Sequence, residues 1–280
     1  MDATIKKQLE ITAVRVRMGI IEGTFNAKSG HPGGSLSISD LLTYLYSVKM
    51  NVNPAYPDMA QRDRLVLSKG HCAPALYSIL AEKGFFPKEE LKSLRHIGAL
   101  LQGHPCISIP GVDMSSGSLG QGISVANGIA LAGKIDNADY KVYTILGDGE
   151  IEEGQVWEAA MFAAHYKLDN LVAIVDNNGL QIDGKISEVC SPEPITDKFA
   201  AFGWHVITMD AHDFDDIERA FDEAEKISGK PVAIIQKSTK GKGVSFMEDK
   251  CSWHGSAPNK EQYDQAMQEL NARINELESK

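Results

Sequence analysis

The stretch ILGDGEIEEG, residues 145–154, combines an apolar run with an aspartate between two glycines. Asp148 therefore falls where a buried strand would end, and ligands of open parallel sheets bind beyond the carboxyl ends of the strands. Gly147 and Gly149 allow the backbone to approach a bound group, and a helix that begins near Glu153 directs free N–H groups to the same place, which favours a phosphate. Because the nearby acids would repel a phosphate, the pattern requires a hard divalent cation such as Mg²⁺.

A second set of oxygen ligands is expected at the end of the next strand. The run LVAIVDNNGLQIDG ends a strand in Asp176, Asn177 and Asn178. The interval from Gly147 to Asn178 matches the roughly 30 residues that a β-α-β unit needs to place two strand ends side by side. The spacing therefore predicts one site that is shared by the two strand ends.

The eight histidines of the chain fall into two groups. His31, His71, His104 and His254 each touch a glycine in a loop, within the motifs GHP, GHC, GHP and WHG. Because imidazole can donate, accept or carry a proton near neutral pH, these four suggest a shared site. The other four lie in or beside helix and strand patterns and are interpreted as structural or surface residues: His96, His165, His205 and His212.

Composition restricts the class of protein. With 280 residues and 43% hydrophobic content, the chain can bury one large α/β domain or two smaller ones. A net charge of −10 gives no basic field for nucleic acid, and no apolar run approaches the roughly 20 residues of a membrane span. The N-terminus has a helical apolar rhythm instead of a secretory signal, which predicts a cytoplasmic protein. The four cysteines form no CxxC pair and are expected to be reduced thiols.

Apolar spacing predicts an α/β fold. An amphipathic helix is expected over residues 5–27, and Ser37 or Ser39 is a candidate cap for a helix that runs to residue 48. Continuous apolar strands then alternate with helices, which is typical of a single domain whose mainly parallel sheet is covered by helices on both faces. The charged stretch 259–280 is expected to be a C-terminal helical tail that packs weakly or against a partner. The strand runs are LVLS, KVYTIL, LVAIVD, HVITMD and PVAII.

The motif GDG, a crossover of this length and then NN resemble the fingerprint of thiamine-diphosphate enzymes. Eight motifs between residues 2 and 258 resemble those of transketolase, in the same order. The resemblance implies that residues 1–258 form the diphosphate-binding domain of a thiamine-diphosphate-binding fold. The motifs are SGHPGG, LSKGH, QGHP, GSLGQGIS, GDGEIEEGQVWEAA, LDNLVAIVDNN, KGKGVSFMEDK and SWHG.

The resemblance also assigns residues to the cofactor. Asp148, Asn178 and the backbone carbonyl of Leu180 are the expected ligands of Mg²⁺, with Ca²⁺ or Mn²⁺ as substitutes. Lys240 is expected to offset the diphosphate charge, although a lysine beside glycines is equally typical of a solvated loop. The remaining cofactor neighbours that the resemblance implies are Gly149, His71 and His254 near the thiazolium and diphosphate, and Gly117, Ser118 and Leu119 as a backbone surface for the aminopyrimidine.

The same resemblance implies catalytic roles for five residues. His31, His71, His104 and His254 are expected to orient the hydroxyls of donor and acceptor sugars and to handle protons at the sugar oxygens. Glu153 matches a family glutamate at the cofactor's dimer interface, where it communicates with carboxylates of the facing subunit. The neighbouring acids Glu150 and Glu152 are explained by the dipole at a helix N-terminus.

Full-length transketolases continue into a pyrimidine-binding domain, which supplies the glutamate that activates the cofactor, and a C-terminal domain. The resemblance therefore implies the N-terminal subunit of a split transketolase, which forms an α2β2 heterotetramer with a C-terminal subunit that carries the pyrimidine-binding domain. Such an enzyme moves a two-carbon ketol unit from a ketose phosphate to an aldose phosphate, as in the pentose phosphate pathway.

Three alternatives fit the motifs less well. Another thiamine enzyme, such as deoxyxylulose-phosphate synthase or the α subunit of a 2-oxoacid dehydrogenase, is disfavoured by the GHP motifs and SWHG. A non-catalytic regulatory relative that binds the cofactor would not need a channel of polar histidines. A dinucleotide-binding domain is poorly supported because GSLGQG spaces its glycines differently from GxGxxG.

Overall fold

A five-stranded parallel sheet forms the centre of the protein, as a computed structural model of residues 1–279 shows. All five predicted apolar runs are strands of this sheet, in the spatial order β1-β2-β3-β7-β6. A separate two-stranded antiparallel ribbon pairs β4 with β5. The strands are β1 Arg64–Leu67, β2 Val142–Gly147, β3 Leu171–Asn177, β4 Leu180–Gln181, β5 Gly184–Lys185, β6 His205–Asp210 and β7 Val232–Lys237.

Helices cover both faces of the sheet, as the continuous apolar strands predict. On one face, Ile145, Ile174 and Ile234 pack in the same core cluster as the first and last helices of the chain. On the other face, alternate residues such as Val175 and Ile235 pack in a second cluster. The helices are α1 Ala3–Ala27, α2 Pro32–Ser37, α3 Ser39–Tyr44, α4 Ala73–Glu82, α5 Gly122–Ile135, α6 Gly154–His165, α7 Ile186–Val189, α8 Ile195–Ala201, α9 Phe214–Glu225 and α10 Lys260–Ser279.

The segment after His31 differs from the single capped helix that the sequence predicts. Helix α2 already begins at Pro32, α3 follows it after Ile38, and a π-helical turn completes the segment at Leu45–Lys49. Neither Ser37 nor Ser39 caps a helix. The hydroxyl of Ser37 donates instead to the buried Asp176 carboxylate, 2.6 Å away, so tertiary contact outweighs local capping.

The charged tail forms α10, which packs lengthwise on α1 and buries Ala266, Leu270 and Leu277. Phe25 of α1 also stacks on Tyr263, with ring centroids 4.3 Å apart. Helix α10 therefore contacts the chain's own first helix while most of its residues remain exposed or half-buried, and the expected contact with a partner stays a prediction. The domain boundary at residue 258 stays a prediction. Lys280 lies outside the residues that the structure describes.

The predicted site lies beside a reversal of strand order, which falls between β3 and β7. The chain lays down β1, β2 and β3 side by side, moves to the far edge for β6, and returns to insert β7 beside β3. Gly147 pairs with Asp176 in the register of β2 and β3, so Asp148 and Asn178 follow neighbouring strand ends. Ligands of open α/β sheets bind at such a switch point. None of the helices in residues 1–279 combines the length and hydropathy of a bilayer-spanning segment.

Candidate cofactor and active site

Asp148 is buried directly beyond β2, with 2% of its surface exposed. Its Oδ1 accepts a hydrogen bond from the Gly149 N–H at 2.9 Å, and its Oδ2 accepts one from the Gly179 N–H at 2.6 Å. Burial and the nearby Asp176 carboxylate raise the pKa of Asp148 to about 6, despite these donors. The site therefore carries negative charge that the protein itself does not fully compensate, which favours a bound cation.

Asn178 and Leu180 lie on the loop that follows β3. Nδ2 of Asn178 donates to Asp176 at 3.1 Å, which orients the amide, and its Oδ1 accepts from the Leu180 N–H at 3.1 Å. Gly179 between them has a φ of 74°, a conformation that glycine adopts without strain. The carbonyl oxygen of Leu180 accepts from Nζ of Lys240 at 3.1 Å.

These residues fit a hard divalent cation. One carboxylate, one amide and one carbonyl offer only oxygen donors, which is the set that Mg²⁺ prefers. The Lys240 ammonium on the Leu180 carbonyl shows that a positive charge is accepted there. Across the described residues, no cluster of three or more His, Cys, Asp or Glu side chains is arranged to hold a metal, so a mixed oxygen set of this kind is the candidate.

The buried carboxylate of Asp176 organises the polar floor of the site, which consists of Lys69, Asp148, Asp176 and Asn178. The sequence predicted only that Asp176 lies at the strand end. It is fully buried and accepts from Lys69, Ser37 and Ser238. Burial by itself would raise the pKa of Asp176, but the Lys69 ammonium and the hydrogen bonds hold it well below its usual range. Asp176 is therefore ionised and paired with Lys69, whereas Asp148 accepts hydrogen bonds from backbone N–H groups.

Three of the four predicted histidines meet above this floor. The ring centroids of His31 and His71 are 5.3 Å apart, and those of His31 and His254 are 5.5 Å apart. Burial lowers the pKa of all three, with further lowering by neighbouring cations such as Arg95, Lys69 and Lys240. The pKa values are about 4 for His31 and about 3 for His254, so these imidazoles are neutral at pH 7.

His104 does not share the ring contacts that join the other three, and it is exposed. Its backbone carbonyl accepts from the Tyr77 hydroxyl at 2.7 Å, and its ring lies 3.4 Å from the point where a Cβ on Gly117 would stand. Partial burial and Arg95 lower its pKa. His104 thus lies beside the predicted aminopyrimidine surface instead of lining the cleft with His31, His71 and His254.

The cleft has a volume of about 250 Å³ and collects most of the predicted cofactor residues. Ser118 and Glu153 are exposed and do not line it, and Glu153 packs beside Gly120 on the surface. A larger crevice of about 830 Å³ opens beyond Asn178, but it contains neither Asp148 nor any of the histidines. The predicted residues that line the smaller cleft are His31, His71, Gly117, Leu119, Asp148, Gly149, Asn178, Leu180, Lys240 and His254.

Lys240 belongs to the cleft. Only 2% of its surface is exposed, and its Nζ lies 3.0 Å from Nδ1 of His254 as well as on the Leu180 carbonyl. Because an ammonium only donates, Nδ1 of His254 accepts this hydrogen bond. Burial and the nearby Lys69 lower the pKa of Lys240. The alternative of a solvated loop lysine is therefore wrong.

Glu150 has a structural role that the sequence interpretation missed. The dipole explanation is wrong for this residue because Glu150 is 2% exposed and lies under the loop. Its carboxylate accepts hydrogen bonds from Ser68, from the Gly120 N–H at 2.9 Å and from the Gly147 N–H at 3.0 Å. Glu150 thus ties together three of the cleft's loops. Gln181 and Ile182, which also line the cleft, gave no signal in the sequence.

The parallel sheet and the cleft at its switch point define a cofactor-binding α/β domain. Residues 7–276 match the family model described as "Transketolase, thiamine diphosphate binding domain". The chain therefore belongs to the transketolase family, in the domain that binds thiamine diphosphate. This finding confirms the family, fold class and organic cofactor expected from the sequence.

Two curated relatives match over most of their own length. One, a subunit of the apulose-4-phosphate transketolase of Phocaeicola vulgatus, is 47% identical over 270 residues, which are 96% of either chain. The 6-deoxy-6-sulfo-D-fructose transketolase subunit SqwG of Clostridium sp. is 48% identical over 242 residues, 86% of this chain and 88% of the relative. The solved transketolase of Campylobacter jejuni superposes with a TM-score of 0.88 at 32% identity. This match covers 99% of the chain but only 46% of the solved one.

Proposed function

We propose that this chain is the N-terminal subunit of a Mg²⁺- and thiamine-diphosphate-dependent transketolase. The reaction is transfer of a two-carbon ketol unit from a ketose phosphate to an aldose phosphate. The observation that carries the proposal is the convergence of Asp148 with the rings of His31, His71 and His254 on one cleft. His31 is not among the residues proposed to bind the cofactor or the metal, so a domain that only bound the cofactor would have no need of it.

The residues of the cleft divide into two groups in this proposal. Asp148, Asn178 and the Leu180 carbonyl would hold Mg²⁺, and Lys240 with His71 and the Gly149 backbone would receive the diphosphate. The backbone of Gly117, Ser118 and Leu119 would face the aminopyrimidine. When bound, thiamine diphosphate supplies the nucleophilic carbon that accepts the ketol group.

The histidines supply hydrogen bonds to the sugar. Because Nδ1 of His254 accepts from Lys240, its proton lies on Nε2, which is therefore a donor. Nδ1 of His31 is buried and has no hydrogen-bond partner among residues 1–279, so it is available to a substrate hydroxyl. Neutral rings of this kind can accept or donate a proton as a carbonyl and hydroxyl interconvert. In this proposal His104, whose ring lies beside Gly117, would contact the substrate from outside the cleft.

A second polypeptide completes this proposal. The names of the two curated relatives include a subunit designation, which supports a partner that carries the pyrimidine-binding domain. Apolar side chains remain exposed on α5 and α6 and beside the cleft, as expected of a surface that a protein partner covers. We propose an α2β2 assembly in which Glu153 lies at the interface between subunits. The exposed apolar residues are Leu119, Val125, Met161, Phe162, Tyr166 and Ile182.

The test is ketol transfer from xylulose 5-phosphate to ribose 5-phosphate with thiamine diphosphate and Mg²⁺, using this chain alone and mixed with a candidate pyrimidine-domain subunit. We expect activity in the mixture only. Activity of the chain alone would refute the need for a partner, and a native mass equal to that of the lone chain in the partner's presence would refute the assembly. A cytoplasmic location stays a prediction.

The names of the two relatives favour a second set of donor sugars. The two relatives that are 47% and 48% identical to this chain over the aligned residues are named for apulose 4-phosphate and 6-deoxy-6-sulfo-D-fructose, outside the pentose phosphate pathway. The same assay with each of these donors distinguishes the alternatives. Turnover with one of them and none with xylulose 5-phosphate would keep the reaction and replace the donor.

A further inference from the structure

His212 lies outside the cleft, on the loop between β6 and α9, yet it joins two other parts of the protein. Its Nδ1 is 2.7 Å from Oδ2 of Asp40, and its Nε2 accepts the backbone N–H of Thr239 at 2.9 Å. Since an N–H donates to Nε2, that nitrogen carries no proton, and the ring proton lies on Nδ1 and is donated to Asp40. The two contacts therefore select one neutral tautomer of His212.

Asp40 is in turn held by Arg17, and both side chains are buried. Nη1 and Nη2 of Arg17 donate to the two carboxylate oxygens of Asp40 at 3.0 and 2.6 Å. Burial by itself would raise the pKa of Asp40, but Arg17 and His212 hold it well below its usual range. Nε of Arg17 also donates to the carbonyl oxygen of Lys242 at 2.9 Å.

These three side chains hold the loop on both sides of Lys240. His212 fixes the N–H of Thr239, and Arg17 fixes the carbonyl of Lys242. A lysine head group on a four-carbon stem reaches one position only if its backbone is fixed and its path is narrow. The path is narrow here because the Cγ of Lys240 lies 3.2 Å from the point where a Cβ on Gly33 would stand.

We propose that His212 is a positioning residue which, with Asp40 and Arg17, sets the Lys240 ammonium in the cofactor cleft. The inference rests on the proposed function only in that Lys240 would receive the diphosphate there. From the sequence, His212 was interpreted as a structural or surface histidine. No local pattern marks its role, because its hydrogen bonds reach Asp40, 172 residues away, and Thr239, 27 residues away.

The experiment measures how readily the side-chain amine of Lys240 is acetylated. The full chain is acetylated with a small amine-reactive ester, and the rate at Lys240 is read by peptide mass spectrometry. In His212→Phe, both hydrogen bonds are lost, and the rate should rise about tenfold, the value of the one backbone hydrogen bond that fixes Thr239. The side chain of His212→Gln can still accept from Thr239 and donate to Asp40. The acetylation rate of Lys240 in this variant should therefore stay within about twofold of the wild-type rate.

His205→Phe is the matched control because His205, in β6, is likewise a histidine paired with an acid, Glu223, but it is partly exposed and contacts neither Asp40 nor Thr239. In His205→Phe, the acetylation rate of Lys240 should equal that of the wild-type chain. An unchanged rate in His212→Phe overturns the inference, and so does a His212→Gln rate as high as that of His212→Phe. If His212→Phe does not fold, His212→Met replaces it, with the same two outcomes.

A second readout separates this inference from the proposed function. The affinity of each variant for thiamine diphosphate with Mg²⁺ is measured by calorimetry on the full chain. We expect a loss of about tenfold for His212→Phe and recovery in His212→Gln, parallel to the acetylation rates. If the wild-type chain binds no cofactor even when mixed with the candidate pyrimidine-domain subunit, while the acetylation rates follow the expected order, the proposed function fails and the positioning role stands.

Discussion

The imidazole of His71 stacks on that of His254, with ring centroids 5.1 Å apart and ring planes inclined by 29°. Two protonated rings at this distance would repel each other, and both pKa values are lowered by burial. A histidine whose pKa is lowered by folding binds its proton more readily in the unfolded chain. Stability from the buried neutral ring is therefore full above about pH 6.5, the unfolded value, and is lost as pH falls towards the folded value.

We therefore expect the unfolding free energy to decline as pH falls from about 7 to about 4, and His254→Gln to reduce the slope of that decline. Urea denaturation across this range measures the slope. The exposed His165→Gln, at the end of α6, is the control and should leave the slope unchanged. Equal slopes for His254→Gln and the unmodified chain would contradict a neutral, buried His254.

Asp148→Asn should abolish Mg²⁺-dependent binding of thiamine diphosphate. The substitution keeps the shape of the side chain but removes the only carboxylate of the proposed oxygen set. Calorimetric titration with and without Mg²⁺ measures the effect. Asp183→Asn, an exposed acid on the loop after β4, is the control. Unchanged affinity in Asp148→Asn would refute the metal assignment.

His104→Ala should reduce turnover much more than cofactor affinity. His104 lies beside Gly117 but does not line the cleft around Asp148. With the partner subunit present, we expect kcat to fall by about 100-fold, the lower end for loss of an acid–base group, and the Kd for cofactor to change little. A larger loss of cofactor affinity than of turnover would instead assign His104 to the cofactor and not to the substrate.

Glu150→Gln should destabilise the protein by about 2 kcal/mol, because a buried carboxylate that accepts three hydrogen bonds is replaced by an amide with one fewer acceptor oxygen. Glu152→Gln is a matched control two residues away. Its carboxylate is exposed and accepts from Gln181 at 3.0 Å, so a change within about 0.5 kcal/mol is expected. Denaturant midpoints with unchanged m-values give both numbers, and equal effects would refute the bracing role of Glu150.

Apolar patterning was sufficient to predict all five strands of the central sheet, because the central strands carry mostly apolar runs that are buried on both faces and the edge strand β6 still contains Val206, Ile207 and Met209. The position of Asp148 and Asn178 at neighbouring strand ends followed from their spacing. The order of β6 and β7 did not, since it depends on which strand pairs with β3 across the sheet.

Buried polar networks were the least predictable part of the site. Lys69, Glu150 and Asp176 have partners that are 107, 82 and 62 residues away, so no local pattern marks them. Ser37 shows the same limit, because a residue type that favours helix caps was used for a tertiary hydrogen bond. The histidine motifs predicted a shared site but not that His104 would stand apart from the other three.

The packing of α10 on α1 has a consequence for biosynthesis. Helix α1 is synthesised before α10 and has a side that α10 covers, as the stack of Phe25 on Tyr263 illustrates. Closing such a long loop costs entropy, and apolar surface that waits for its cover is prone to association with other chains. The chain therefore reaches its final packing only after α10 has been synthesised, and until then that side of α1 stays uncovered.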